Sequence, residues 1–387
     1  MKIVIAPDSF KGSITALRAA DAMEIGLRRV FPNVEIEKIP MADGGEGTVQ
    51  SLVDATGGEI ITEPVLNPLG VEIDAGYGAL GDGITAVIEM AAASGLTLVP
   101  PDKRNPLVTT TYGTGQLIQA ALNRGCRKLI IGIGGSATND GGAGMAQALG
   151  AKLLAASGKQ VEWGGGGLGN LETIDISGLD SRLAETETVV ACDVNNPLTG
   201  EQGASRVYGH QKGATHEMIE VLDTNLAHFD KILQRGLGKS VGNIPGAGAA
   251  GGLGAGLLAF LDSTLKSGVE IVMEATNLGQ IIEGANLVIT GEGQINFQTV
   301  FGKTPVGVAA LAKTRNIPVI AIAGSISTDA DGIYGAGIDA VIDIVPEPMT
   351  LDDAIKNAAA LIADAAERAG RMVAVGLKLR DGNEGFS

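Results

Sequence analysis

Apolar residues in this chain fall into short runs separated by turns that carry glycines and acids. Lys2–Ala6 reads as a buried strand. Behind it Leu17, Ala20, Met23, Ile25 and Leu27 recur at helical spacing, with Ser13 or Thr15 as the cap and Pro32 as the stop. Val34–Ile39 predicts a second strand and Thr48–Ala55 a second helix. The far end of the chain repeats the rhythm. Leu287–Thr290, Pro318–Ala323 and Ala340–Ile344 read as strands, and Pro305–Thr314 as a helix with Thr304 as cap and Pro305 in the first position. Leu351–Val375 predicts one long amphipathic helix. Apolar strands alternating with helices imply a parallel sheet covered on both faces.

From about Gly58 to about Gly284 the texture differs. Ile60–Val65, Val71–Ala79, Ala86–Met90 and Val189–Asp193 read as strands, and so does the run ending at Ile133. Helices are expected over Gly115–Asn123, Gly142–Gly150 and around Thr215–Gln234. The charge-free stretch Val241–Leu261 contains Pro245 and many glycines, so it predicts a loop entering a buried helix rather than a membrane span. The expected organisation is a discontinuous domain of residues 1–57 plus 285–387, with residues 58–284 inserted as a second α/β domain.

The 387 residues include 58 glycines, clustered at the ends of apolar runs, which marks tight strand-to-helix turns rather than low complexity. A net charge of −16 argues against nucleic acid and anionic membrane as partners. Cys126 and Cys192 make no disulfide framework, and the apolar core of MKIVIAPDSFK is too short for a signal peptide, so the cytosol is the expected compartment.

An acidic protein captures an anionic substrate with local cations and backbone amides. The run from Gly134 through Gly135, Ser136, Thr138, Asp140, Gly141 and Gly142 follows a strand and opens a helix, a pattern that cradles phosphate, and Asp140 is expected to face magnesium. Other strand ends carry Asp8, Ser9 and Lys11; Asp43, Gly44, Gly45 and Glu46; Asp193; and Glu292, Asn296 and Lys303. Lys212 precedes a helix cap at Thr215. The three histidines share no ligand spacing, which argues against zinc. Gly246–Gly251 matches GxGxxG without a preceding strand, so it predicts close packing or an anion-binding turn. Acids, lysines and glycine amides at several strand ends are the combination that phosphoryl transfer needs. A dehydrogenase would require an acid after Lys152–Ala156, where alanines stand instead.

The strings APDSFK, ADGGEGT, IEMAAASGL, TTTYGTG, IGIGGSATNDGG, ACDVNNPL, QKGA, GAGAAGGLG and TGEGQI resemble, in order, the bacterial glycerate kinase family whose members are glycerate 2-kinases. The resemblance implies ATP- and Mg2+-dependent phosphorylation of D-glycerate to 2-phosphoglycerate. It also implies a flavodoxin-like domain from both chain ends and an inserted domain with a restriction-endonuclease-like core. A homo-oligomer is left open.

On that basis glycerate is expected in a cleft between the domains. Asp8, Ser9, Lys11, Asp43, Gly44, Gly45, Glu46 and Lys212 are its candidate ligands, and Lys11, Asp193, Asn296 and Lys303 are the candidate catalytic residues. ATP phosphates are assigned to the Gly134–Gly144 loop and the vicinity of Lys303. Magnesium is assigned to Asp193 and Glu292, with Asp43 or Glu46 in reserve. The chain departs from the family pattern at Asn296, where an acid is usual, at Gln294 in place of Arg, at Gly12 in place of Glu, and at His210 in place of Pro. An amide at 296 takes no proton, which opens the alternative of a member that binds without turning over. Phosphorylation of a related hydroxy acid, or of the 3-hydroxyl, is a further alternative.

Overall fold

The computed structural model describes residues 1–383 apart from Glu46 and Phe301, with Asp331 and residues 381–383 by backbone alone. The chain begins β1 (Lys2–Pro7), α1 (Ala16–Arg28), β2 (Glu35–Lys38), α2 (Thr48–Thr56), β3 (Glu59–Leu66), β4 (Glu72–Ala79) and β5 (Thr85–Glu89). It continues with α3 (Tyr112–Asn123), β6 (Lys128–Gly132), α4 (Ala143–Ala148), β7 (Lys152–Ala155), β8 (Leu171–Asp175), β9 (Glu187–Ala191) and α5 (His216–Leu237). The last stretch holds α6 (Ala249–Leu261), β10 (Thr264–Lys266), β11 (Leu287–Glu292), α7 (Thr304–Lys313), β12 (Val319–Ala323), β13 (Ala340–Asp343) and α8 (Ala358–Asn383). Shorter helices fill the connections.

Two compact units result: Met1–Asp43 with Val272–Ser387, and Gly44–Ile271. Both crossings lie before the expected 57/58 and 284/285. Helix α2 packs on β3, β4 and β5 and so goes with the inserted unit. Residues 278–284 go with the first, because Lys2 Nζ donates to Ile281 O (2.7 Å) and Glu283 O (3.2 Å).

Among the described residues the first unit has one sheet, ordered β13-β12-β11-β1-β2 and parallel throughout. Counted within the unit this is 2-1-3-4-5, the flavodoxin-like order. Ile3, Val4, Ile5 and Ala6 are fully buried, as a strand covered on both faces requires. Helix α1 buries Ala16, Ala19, Ala20, Met23, Gly26 and Leu27. Ile25 leaves the expected stripe: it follows Met23 by two positions, which puts it on the far side of the helix, and it is exposed. The helix expected over 351–375 is two, Leu351–Lys356 and α8, broken at Asn357, whose amide donates to Asp353 O.

The second unit carries the sheet β10-β9-β6-β5-β4-β3. Its β5, β6, β9 and β10 are parallel, while β3 and β4 are antiparallel additions. A separate ribbon pairs β7 with β8. This is the two-domain α/β architecture the resemblance implies, a parallel doubly wound sheet from both chain ends and a mixed-sheet inserted unit.

The glycine-rich run becomes the start of α6. Ala250 (φ +52°), Gly251 (φ +68°) and Gly252 (φ +89°) are successive left-handed residues that kink it. A Cβ at Gly248 would lie 2.1 Å from Pro197 O, and one at Gly251 would lie 2.0 Å from Thr138 O. The GxGxxG string is therefore close backbone packing. Gly251→Ala adds left-handed strain to that clash and is expected to destabilise this unit by about 2–4 kcal/mol. Calorimetry should show its melting transition lower by roughly 5–10 °C, and a midpoint within about 1 °C of the parent would show that the loop below simply gives way.

Candidate active site

In an open parallel sheet, strand C-terminal ends form a crevice where the strand order reverses. In the first unit that point lies between β1 and β11. Pro7 pairs with Gly291, and Asp8 N donates to Gly291 O at 2.8 Å, so Asp8 and Glu292 emerge from neighbouring strands. Asp8 is 5% exposed and Glu292 8%. Hydroxyls and amides orient both. Thr304 Oγ1 donates to Asp8 Oδ2 at 2.7 Å, Ser9 N donates to Asp8 Oδ1 at 2.6 Å, and Thr299 Oγ1 donates to Glu292 Oε1 at 2.6 Å. Thr304 thus serves Asp8 rather than the helix cap expected of it; Lys303 is the N-cap residue of α7.

Lys11 Nζ pairs with Asp43 Oδ2 at 3.2 Å. The cluster therefore holds three acids, with Lys11 and Lys303 as cations. Burial pushes Asp8 up to about 6; Asp43 adds to the rise, and the Thr304 and Ser9 donors and Lys11 oppose it. Burial likewise lifts Glu292 to about 7, against the Thr299 hydroxyl and Lys303, with Asp8 and Asp43 adding to the rise. Burial disfavours the Lys11 ammonium, yet Asp43, Asp8 and Glu292 outweigh it and raise its pKa above the usual lysine value. Among the described residues no three His, Cys, Asp or Glu side chains are placed to close on one metal ion.

Asn296 stands in the turn after Glu292. Its Oδ1 accepts from Gln298 N (2.9 Å), and its N–H donates to Thr299 Oγ1 (3.1 Å). The residue thus starts the short helix Phe297–Val300 and holds the threonine that orients Glu292. Glu46 lies outside the described residues. Gly44 (φ +85°) is buried in the second unit, where a Cβ would lie 2.7 Å from the Gly268 Cα. Gly45 O accepts from Thr48 N and Thr48 Oγ1 at the start of α2.

At the end of β6 in the second unit, Gly134 and Gly135 are exposed, while Ser136, Thr138, Asp140, Gly141 and Gly142 are buried. Asp140 does not face a metal. Its Oδ2 accepts from Thr111 N (2.8 Å), Thr111 Oγ1 (2.9 Å) and Gly144 N (3.2 Å), and its Oδ1 from Gly142 N (3.1 Å). Burial raises its pKa against those four donors. Asp140 thereby occupies the N–H groups of the helix start that were expected to hold phosphate, and α4 is only six residues long. Neighbouring loop residues are pinned as firmly. Thr109 Oγ1 donates to Ala137 O (2.8 Å), Lys212 Nζ to Thr138 O (2.7 Å), Asn139 Nδ2 to Ser205 Oγ (2.9 Å) and Gly141 N to Gly251 O (3.0 Å). Lys212 is therefore under the loop, 2% exposed, and burial lowers its pKa to about 7, with Asp140 opposing. Asp193, exposed at the end of β9, accepts from Gly268 N (3.0 Å). Thr299, Ser205 and the Asp8-bound role of Thr304 carry no sequence signal, since each partner is brought in by the fold. Thr111 lies in the TTTYGTG string, whose role sequence reasoning left unassigned.

The raised Glu292 has a consequence for stability. Between the unfolded value near 4.5 and the folded value near 7 the native state holds the extra proton, so stability falls as pH rises through that window. Glu292→Gln should match the parent at pH 5 and exceed it by about 1–3 kcal/mol at pH 8.5. Thermal melts at the two pH values test this, and an equal difference at both would refute it.

Among the described residues no helix is long and apolar enough to cross a membrane. Residues 3–374 match the model of the glycerate kinase family. The chain is 58% identical to the glycerate kinase of Bacillus subtilis (strain 168), with 98% of each chain covered. It is 53% identical to the glycerate 2-kinase of Escherichia coli (strain K12), covering 98% of this chain and 99% of that one. A crystal structure of a Salmonella typhimurium LT2 protein assigned as glycerate kinase 2 superposes with a TM-score of 0.92 at 52% identity, covering 98% of this chain and 99% of that one. With this extent of likeness in sequence and backbone, the chain belongs to the glycerate kinase family.

Proposed function

We propose that this protein phosphorylates D-glycerate with ATP and magnesium, giving 2-phosphoglycerate. The observation that carries the reading is the cluster at the β1/β11 switch point: three acids, two of them buried, with Lys11 and Lys303 beside them. Family membership and the names of the relatives support the substrate, the reaction and the 2-position.

Lys11 and Ser9 receive the glycerate carboxylate, with Gly44, Gly45 and Glu46 as further candidate ligands. Asp8, held at both oxygens and poised near pH 6, orients the attacking hydroxyl and accepts its proton late in a loose transition state. Lys303, at the N-terminus of α7, neutralises charge on the phosphoryl group in transit. ATP phosphates rest on the exposed amides of Gly134 and Gly135 beside Ser136.

Hard carboxylate oxygens on crowded acids suit magnesium. That ion takes one or two carboxylates together with phosphates and water, so it needs no cage of three protein ligands. Glu292 and Asp193 are its candidate ligands. When bound, magnesium offsets the negative charge of the transferring phosphates. The protein works in the cytosol on small molecules, in keeping with its free thiols and its acidity.

In an ADP-release assay with D-glycerate, Lys303→Ala should lower kcat roughly a hundredfold or more, the scale of one strong transition-state contact. Unchanged turnover would remove Lys303 from the site. Asn296→Asp keeps the oxygen that caps the following turn, so kcat should stay within about threefold of the parent. A rise of about tenfold or more would identify the position as a proton acceptor that this chain lacks. No ADP release from the parent would favour the binding-only alternative.

A further inference from the structure

Lys212 is a built feature that the proposed chemistry leaves without a role. Its ammonium is buried with one strong acceptor, Thr138 O at 2.7 Å, and one marginal one, Ser136 Oγ at 3.5 Å. Its position is not adjustable. Gly213 follows in the left-handed region (φ +89°), and a Cβ there would lie 2.4 Å from Arg104 O. Thr138 O is in turn packed against Gly251. The charged group acting on Lys212 is Asp140, whose oxygens are committed to Thr111, Gly142 and Gly144. Among the described residues no other charged group acts on it. Ser136 and Thr138 are neutral, the kinked start of α6 is Ala250, Gly251 and Gly252, and Arg104 approaches Gly213 through its carbonyl and Cβ. On its own short turn, His210 is exposed and meets His216 edge-on.

A cation buried against two neutral oxygens is under-compensated, and an anion close by would complete it. The nearest solvent-exposed backbone of the loop is Gly134–Gly135, next to Ser136. We propose that Lys212 is a positioning residue of this loop, shaping it through Thr138 and Ser136, and that the phosphates of a bound nucleotide complete its charge so that binding draws a proton onto this side chain. The inference rests on the reading that the phosphates sit at Gly134–Ser136. Without ligand the ammonium titrates near pH 7. A neighbouring polyanion raises that value, so at pH 8 the free protein is mostly unprotonated at Lys212 and the complex is protonated. No bond is made or broken; the proton comes from buffer.

The test is calorimetric titration of the full-length protein with MgADP at pH 8 in two buffers of different ionisation heat, together with Kd from pH 7 to 9. The parent should take up about half a proton or more, and its Kd should weaken by up to about tenfold per pH unit. Lys212→Met should bind more weakly, with no uptake and a flat Kd profile; Lys212→Arg, always charged, should also be flat. No uptake by the parent, or equal uptake by Lys212→Met, overturns the proposal. Gly134→Asp separates the two readings, because a Cβ there meets nothing within 4 Å. Wild-type MgADP affinity in that variant would overturn the phosphate-loop reading itself. Lost affinity there, with uptake persisting in Lys212→Met, would overturn the role of Lys212 alone.

Discussion

Carboxylates held out of water at the end of a parallel sheet repel one another, and a nearby cation or a bound proton relieves the strain. That constraint governs the first unit. Its strand order makes β1 and β11 neighbours, so Asp8 and Glu292 emerge together from one edge. Asp43 adds a third acid, tethered by Lys11. The raised affinities of Asp8 and Glu292 for protons follow directly. A cluster already short of positive charge suits a substrate complex that brings a divalent ion and a phosphoryl group, as the proposed transfer requires.

The second unit solves the opposite problem. On the proposed reading it presents amides to an anion without help from a basic surface, because the chain is acidic as a whole. It does so by burying nearly all of one loop and leaving two glycines outside. Thr109, Thr111, Ser205, Lys212 and Gly251 each hold one part of that loop from beneath. Gly251 has to be glycine for this, because any side chain would meet the Thr138 carbonyl.

Much of this was legible in the order of residues. Unbroken apolar runs such as Ile3–Ala6 and Leu287–Thr290 identify buried parallel strands, and acids just beyond their ends are legible as crevice residues because strand ends converge in such sheets. What was not legible depends on partners distant in the chain. Thr304 looks like a cap and is instead the ligand of Asp8, 296 positions away. Asp140 looks like a metal ligand in a glycine loop, and only the approach of Thr111, the N-cap residue of α3, turns it inward. Lys212 was visible as a motif, but its burial depends on how its turn packs under the loop. Local pattern also misled at Asn357, where one amphipathic stripe spans two helices, and the three-residue strand β10 is too short to leave a periodic signal.

Asp140 caps the helix that follows its own loop, and this changes when the loop's conformational entropy is lost. Because Asp140, Thr111 and the glycine amides bond to one another, the turn takes its shape as the chain folds, with no anion needed to organise it. A nucleotide bound here as proposed meets a preformed template, and its binding energy is not diminished by ordering the protein around it. Evolution can therefore change Gly134, where an added Cβ meets nothing within 4 Å, while leaving the foundation beneath it untouched.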